Sequence, residues 1–306
     1  TPYQVEYYGD YSLITIGEDQ RFLLVPEGKD VPKDLPEDVV ALQQPLDKTY
    51  LVSTSVMDLI RQLDRISYIR LSGSKAKDWY ITEAKEAIES GDMIYAGKYS
   101  APDYECILNE GCNLAIENTM IYHIPEVKEK LEELGIPVLV ERSSYESHPL
   151  GRLEWIKLYG LLFDASDEAN AYFDSQVEQI TPLLDQENIG KTIAFFSVNS
   201  SGAINVRKPG DYITQMITMA GGNYALADVV PEEENALSTM NMQMEDFYNA
   251  AQGADILIYN SAIEGEITSI DELLAKNSMF AQFDAVKTGN VYCTGKNFFQ
   301  ESTGMA

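Results

Sequence analysis

From Tyr50 onward the chain alternates short apolar runs with helical segments, and that alternation limits the fold more than any other feature. YLVST reads as a strand, SVMDLIRQL as a helix, SYIRLSG as a strand and ITEAKEAIESG as a helix closed by glycine. MIYAG, DYECILNEG, NLAIENT, PEVKEKLEELG and IPVLVER continue as strand, helix, strand, helix and strand. Strands that alternate with helices imply parallel sheets covered by helices. Ligands of such sheets sit beyond the carboxyl ends of the strands. Ahead of this region, VEYYGDYSLITI, GEDQ and RFLLVP (5 to 26) predict a β-hairpin, KDVPKDLPED (29 to 38) a charged, proline-rich loop, and VVALQ a short strand.

DASDEANAYFDSQVEQITPLLDQ (164 to 186) reads as one long helix, N-capped by Asp164 or Ser166 and free of glycine, with Pro182 near its end. After Gly190 the alternation restarts with TIAFFSV and runs through YITQMITMAGG, MEDFYNAAQG and DILIYNS to NVYCT. The two halves share a grammar. Glu105 opens a helix that runs to a glycine and then to Asn113-Leu-Ala-Ile-Glu-Asn118-Thr119; Glu245 opens another that leads to Asp255-Ile-Leu-Ile-Tyr-Asn260-Ser261. The expected organisation is an N-terminal lobe with its hairpin (1 to 163), a connecting helix (164 to 187) and a C-terminal lobe (188 to 306). The fold class is α/β, with two Rossmann-like lobes of parallel sheet joined by one long helix.

The net charge of −27, from 22 basic and 49 acidic residues, repels phosphate backbones and argues against nucleic acid as a partner. No apolar run approaches the ~18 residues of a membrane span. Thr1 is expected to be a processed or trimmed edge. Cys106, Cys112 and Cys293 match no zinc spacing, only two histidines accompany them, and they read as small buried hydrophobes. No metal site and no cofactor is expected.

Several stretches together resemble the metal-chelate class of substrate-binding proteins of ABC importers: VVALQQPLDKTYLVSTSVMDLIRQL, the Glu105 unit, LEELGIPVLVE, the long helix, MITMAGGNYALAD and FDAVKTGNVYCT. The match covers most of residues 39 to 300. Two features depart from it: the region before residue 39 is longer than the family core needs, and relatives continue past the equivalent of FFQESTGMA into a last helix. The resemblance implies capture of a ferric siderophore, haem or cobalamin between two lobes that move little, and delivery to a membrane permease. It assigns Glu105 and Glu245 to docking on permease arginines, a role that suits exposed carboxylates at helix starts; simple helix stabilisation is the alternative.

Within that frame the stretch YESHPLGR, after the strand IPVLVER, becomes a cleft-facing loop. Tyr145 and His148 are candidates to hydrogen-bond a ligand, or to coordinate iron in a haem binder. Pro149 fits a first helical turn. Arg152 is a candidate contact for an anionic chelate, with a salt bridge to Glu146 or Glu154 as its structural alternative. Residues 190 to 306 hold six basic residues against fourteen acidic ones, and the adjacent pair Arg207 and Lys208 in SVNSSGAINVRKPG reads as a loop contact for an anion or as a solvated turn. Lys98 and Tyr99, Tyr122 with His123, and Lys296 fall on equivalent loops. The methionines of MNMQM (240 to 244) suit a soft metal but read better as core.

Ser143 or Ser144 with His148 raises a hydrolase alternative, yet no G-x-S-x-G elbow, P-loop or G-x-G-x-x-G is present. The reading is therefore a non-enzymatic, monomeric, extracytoplasmic binding protein. It is expected in a periplasm or lipid-anchored as a lipoprotein, with an iron-siderophore-type chelate as leading cargo and cobalamin or haem as alternatives.

Overall fold

The computed structural model describes residues 3 to 184, 187 to 230 and 238 to 303. By internal contacts the chain forms two units. The first comprises Thr1–Ser144, Leu153–Ser175 and Gln300–Gly304; the second holds Tyr145–Arg152 and Gln176–Phe299.

The first unit opens with β1 (Tyr3–Tyr8), β2 (Tyr11–Ile16), β3 (Gln20–Val25) and β4 (Val39–Gln43), which form one sheet in that order. The expected hairpin is thus a three-stranded meander. VEYYGDYSLITI does not run as one strand because Gly9 takes a left-handed φ of 64°, which turns the chain between β1 and β2. The fourth strand joins parallel to β3.

Next come β5 (Thr49–Leu51), α1 (Val56–Gln62), β6 (Ile69–Ser72), α2 (Thr82–Ser90), β7 (Ile94–Tyr95), the small hairpin of β8 (Gly97–Lys98) and β9 (Ala101–Pro102), α3 (Tyr104–Asn109), β10 (Leu114–Glu117), α4 (Pro125–Glu133) and β11 (Val138–Val140). The main sheet is wholly parallel, in the order β11-β10-β5-β6-β7. Every residue of β5, β10 and β11 is buried, which explains their largely apolar character. One face carries a cluster of Tyr50, Val52, Ala115, Ile121, Val127, Leu131 and Val140.

Helix α5 (Pro149–Leu162) buries Trp155 and Tyr159 completely, and Tyr3 meets the Trp155 ring edge-on at 5.1 Å. Burial on this scale contributes about 1.5–3 kcal/mol per large apolar side chain. Helix α6 (Ser166–Leu184) follows a left-handed Asp164 (φ 52°) and keeps Pro182 inside its last turn.

The second unit contains β12 (Thr192–Val198), β13 (Ile204–Arg207), α7 (Tyr212–Met219), β14 (Asn223–Tyr224), β15 (Thr239–Met242), α8 (Met244–Ala251), β16 (Ile256–Tyr259), α9 (Ile270–Lys276), α10 (Asp284–Thr288) and β17 (Val291–Cys293). Its sheet runs β15-β13-β12-β16-β17, with β14 beside β12. Strands β14, β12, β16 and β17 are parallel, as expected, but β13 and β15 add an antiparallel flank. One face is closed by Phe196, Phe247, Phe280 and Phe283, whose rings pack at centroid distances of 4.9 to 6.4 Å. Among the described residues no helix is long and apolar enough to cross a membrane.

Candidate functional site

Two groups of polar side chains stand at strand ends and helix starts, one in each unit. In the second unit the Arg152 guanidinium carbon lies 4.2 Å from the centroid of the Tyr212 ring, and that of Arg207 lies 5.5 Å from the same ring. Arg207 also lies 5.8 Å from the Phe195 ring. Both cations are within the reach of a cation–π attraction, which holds planar guanidiniums on aromatic faces.

The local sequence explains the arrangement. Pro149 starts α5, so Arg152 falls in its first turn. Asp211 caps α7 by accepting the Thr214 N–H at 2.9 Å, which fixes Tyr212 as the first helical residue. The second oxygen of Asp211 pairs with Arg207 at 3.3 Å, and Arg207 also reaches Ser238 Oγ at 3.3 Å. Burial lifts the Asp211 carboxyl above its ordinary range, although Arg207 and the Thr214 N–H pull the other way. The Arg207 carbonyl accepts from the Tyr224 hydroxyl at 2.7 Å.

Arg207 does not lie where the sequence places it. SVNSSGAINVRKPG is expected as a strand-end loop, but Val198–Ile204, Ser197–Asn205 and Phe196–Val206 pair as a hairpin. The return strand carries Arg207 back beside the middle of β12. Lys208 follows it, with its N–H donated to the Ser238 carbonyl at 2.9 Å. Arg152 stacks on Tyr212, whereas Glu154 pairs with Lys157 at 3.3 Å. Tyr145 ends a short 3-10 turn and is 44% exposed. His148 serves the start of α5: its Nδ1 accepts the Leu150 N–H at 3.2 Å, and its carbonyl accepts from the Arg152 N–H at 3.0 Å. Lys296 is exposed after β17, and its N–H donates to Glu266 at 2.7 Å.

Below the Arg207 cluster, Phe195 also lines an apolar groove of about 390 Å³ with Ile193, Ile217, Ile256, Ile258 and Phe298. Met240 and Met242 lie on or beside β15 and pack against the second unit's core, with Met244 buried at the start of α8.

In the first unit Tyr122 sits in the 3-10 turn after β10. Its hydroxyl accepts from Arg142 at 3.0 Å, and Arg142 reaches Asp19 at 3.2 Å. Lys98 is exposed on its hairpin, while Tyr99 is half-buried against the apolar cluster of the sheet. Glu105 and Glu245 are both exposed, and each is the second residue of its helix, α3 or α8. Both strand-end asparagines make the same turn: Asn118 accepts the Met120 N–H at 3.0 Å and Asn260 accepts the Ala262 N–H at 3.1 Å.

Sequence reasoning missed Arg142 and Tyr212. Arg142 was visible as the cation closing IPVLVER, and Tyr212 as the aromatic residue after the Gly-Asp helix cap.

No protein-family model matches the chain. Among curated proteins it is 23% identical to an uncharacterized lipoprotein of Methanocaldococcus jannaschii, over 96% of this chain and 72% of the relative. Two further proteins of that organism are each 26% identical, and the chain spans only 55% and 63% of their length. Among solved structures, the periplasmic heme binding protein HutB of Vibrio cholerae superimposes with a TM-score of 0.68 at 16% identity, over 85% of this chain and 96% of that one. The chain has the fold of the periplasmic binding proteins. A periplasmic binding protein of Veillonella parvula matches 99% of this chain and 94% of its own, with a TM-score of 0.67 at 12% identity. The catecholate-siderophore binding protein VctP of Vibrio cholerae matches 85% and 91%, with a TM-score of 0.64 at 13% identity. The α/β class and the periplasmic-binding-protein resemblance expected from sequence agree with these neighbours.

Proposed function

We propose that the chain is the binding component of an ABC importer, working outside the cytoplasm and capturing an anionic iron chelate of the siderophore type. The observation that carries this reading is the pair of guanidiniums on Tyr212, with Phe195 beside them. Two fixed cations against aromatic surface complement a ligand whose metal is wrapped in anionic oxygen donors and aromatic rings. The fold is that of proteins named for heme and for catecholate siderophores, which favours the same class. Cobalamin or haem is the second reading, favoured by the apolar groove below Phe195.

In this proposal two lobes joined through the 164 to 187 helix hold the chelate. Lys98, Tyr99, Tyr122, Arg142, Tyr145, His148 and Arg152 contribute from the segment before that helix, and Arg207, Lys208 and Lys296 from the segment after it. Glu105 and Glu245 meet arginines of the permease, supported by their exposure and matching helical positions. The protein acts as a monomer and performs no catalysis. A lipid anchor is supported by the naming of a relative as a lipoprotein.

Thermal unfolding in the presence of ferric catecholates, ferric hydroxamates, haem and cobalamin tests the proposal. A ligand at a hundredfold excess over its Kd stabilises by about 2.7 kcal/mol. Replacing Arg152 and Arg207 together by alanine is expected to weaken an anionic chelate at least about tenfold, since charge-assisted contacts contribute roughly 1.5–3 kcal/mol each. Saturable binding that ignores both substitutions rejects the arginine site; a panel without any shift rejects the chelate assignment.

A further inference from the structure

We propose that the first unit carries a proton-dependent switch in its core: Glu117 is held there as a neutral acid, and charging it opens the helix-covered face of the sheet. The inference is independent of the cargo.

Glu117 is the last residue of β10, which lies between β11 and β5 in the parallel sheet. Side chains two apart on a strand share a face, and so do register partners on parallel neighbours. Glu117 therefore shares the face of Ala115 and of Val140, its partner on β11. That face is the apolar cluster of Tyr50, Val52, Ile121, Val127 and Leu131. Glu117 is fully buried, and neither carboxyl oxygen has a hydrogen-bond partner among the described residues.

Among the described residues, the groups that face it supply no positive charge. From β5 comes Tyr50, whose hydroxyl is committed to the Gly97 carbonyl at 2.7 Å. From α3 comes Tyr104, which is influenced by Glu117 and, from α4, by Lys130 and Glu126. From β11 comes Val140, and from the turn after β10 comes Ile121. Cys112 lies near Tyr50, with its own thiol pushed up to about 11 by burial. Glu141, on the next strand end, is committed elsewhere: it accepts the Ser143 N–H at 2.6 Å. A carboxylate in such a place loses its hydration and gains nothing in exchange.

Desolvation alone raises the Glu117 carboxyl from 4.5 to about 8. Between those values the folded chain holds a proton that the unfolded chain has released. The unfolding equilibrium constant therefore grows about tenfold for each pH unit as pH rises through that window, and levels off above it. The stability contributed by the bound proton is full below the unfolded value and gone above the folded one.

Denaturant unfolding of the wild type and Glu117→Gln, from about pH 5 to about pH 9, tests this. All other titrations cancel in the ratio of the two unfolding constants. The expected ratio rises about tenfold per pH unit up to about pH 8, because the amide never ionises. Hydrogen exchange, compared between the two proteins at each pH, is expected to show α3, α4 and β10 exposed faster in the wild type at alkaline pH. Infrared spectra of the wild type at neutral pH are expected to contain a protonated-acid carbonyl band that Glu117→Gln lacks. Parallel pH curves would overturn the proposal, and so would an ionised Glu117 at neutral pH. If Glu117→Gln does not fold, a carboxyl titration of the wild type labelled at glutamate decides the matter: a group titrating near the usual 4.5 rejects it.

Discussion

Strand β10 of the first unit and strand β16 of the second occupy the same step of the same grammar. Each follows a helix that opens with an exposed glutamate, and each is followed directly by an asparagine that caps its own turn. They differ at the last residue of the strand, which is Glu117 in one and Tyr259 in the other. Both residues are fully buried and both carry polar oxygens without a hydrogen-bond partner among the described residues. The surroundings diverge. Tyr259 stands edge-on to Phe196 at 5.7 Å, with the Lys276 amine 5.6 Å from its ring, whereas Glu117 faces aliphatic side chains and two tyrosines. A phenol in an aromatic core leaves one weakly hydrated hydroxyl unpaired; a carboxyl in an aliphatic one couples the fold to the proton concentration. One architecture thus holds two kinds of buried polar group in two different surroundings.

Five substitutions separate the units, from the largest effect to the smallest. Phe247→Ala, which empties the middle of the second unit's aromatic stack, is expected to cost about 3–5 kcal/mol in denaturant unfolding, with no change in pH slope. Asp58 in the first unit is buried on α1, pairs with Arg61 and accepts both the N–H and the hydroxyl of Thr303, at 2.8 and 2.6 Å. Asp58→Ala is expected to cost roughly 1–3 kcal/mol by stranding those donors, measured the same way. The two glutamate-bearing helices differ as well. Asp103 caps α3 by accepting the Cys106 N–H, while Gln243 makes no side-chain cap on α8. Asp103→Ala is therefore expected to cost about 1 kcal/mol, and Gln243→Ala only a few tenths. Tyr259→Phe is expected to change stability by less than about 0.5 kcal/mol or to raise it slightly near neutral pH, because an unpaired hydroxyl is removed. A pH-dependent response at Tyr259 would dissolve the contrast with Glu117.

The βα alternation was legible because strands buried on both faces write themselves as short apolar runs such as Leu114–Ile116 and Val138–Val140. The same rule hid Glu117, which looked like one polar letter inside NLAIENT; an acid at the buried end of an otherwise apolar strand was the available signal. The N-terminal sheet was half legible. Its turn residues mark the meander, but the parallel pairing of β4 with β3 joins segments separated by a loop and depends on packing that no local pattern encodes. At the candidate site, His148 and Pro149 were readable as a helix start, since helix-capping chemistry is local. Arg207 was misplaced because Asn199-Ser200-Ser201-Gly202 acts as a hairpin turn: the Asn199 side chain accepts the Ser201 and Ala203 N–H groups at 3.0 Å each and folds the chain back on β12.

The anchoring of Gln300 and Thr303 has a consequence for biosynthesis. Gln300 accepts from the Tyr80 N–H and donates to the Asp78 carbonyl, Ser302 donates to the Ser55 carbonyl, and Thr303 completes Asp58. Along the chain the second unit interrupts the first twice, at Tyr145–Arg152 and Gln176–Phe299, and Thr303 lies 245 positions from its partner Asp58. A ribosome releases the chain from the N-terminal end at about 5–20 residues per second. For an interval on the order of ten seconds or more, Asp58 has its neighbour Arg61 but not Thr303. The second unit's sheet has all its strands by Cys293 and can close first, while the first unit waits for the final strap.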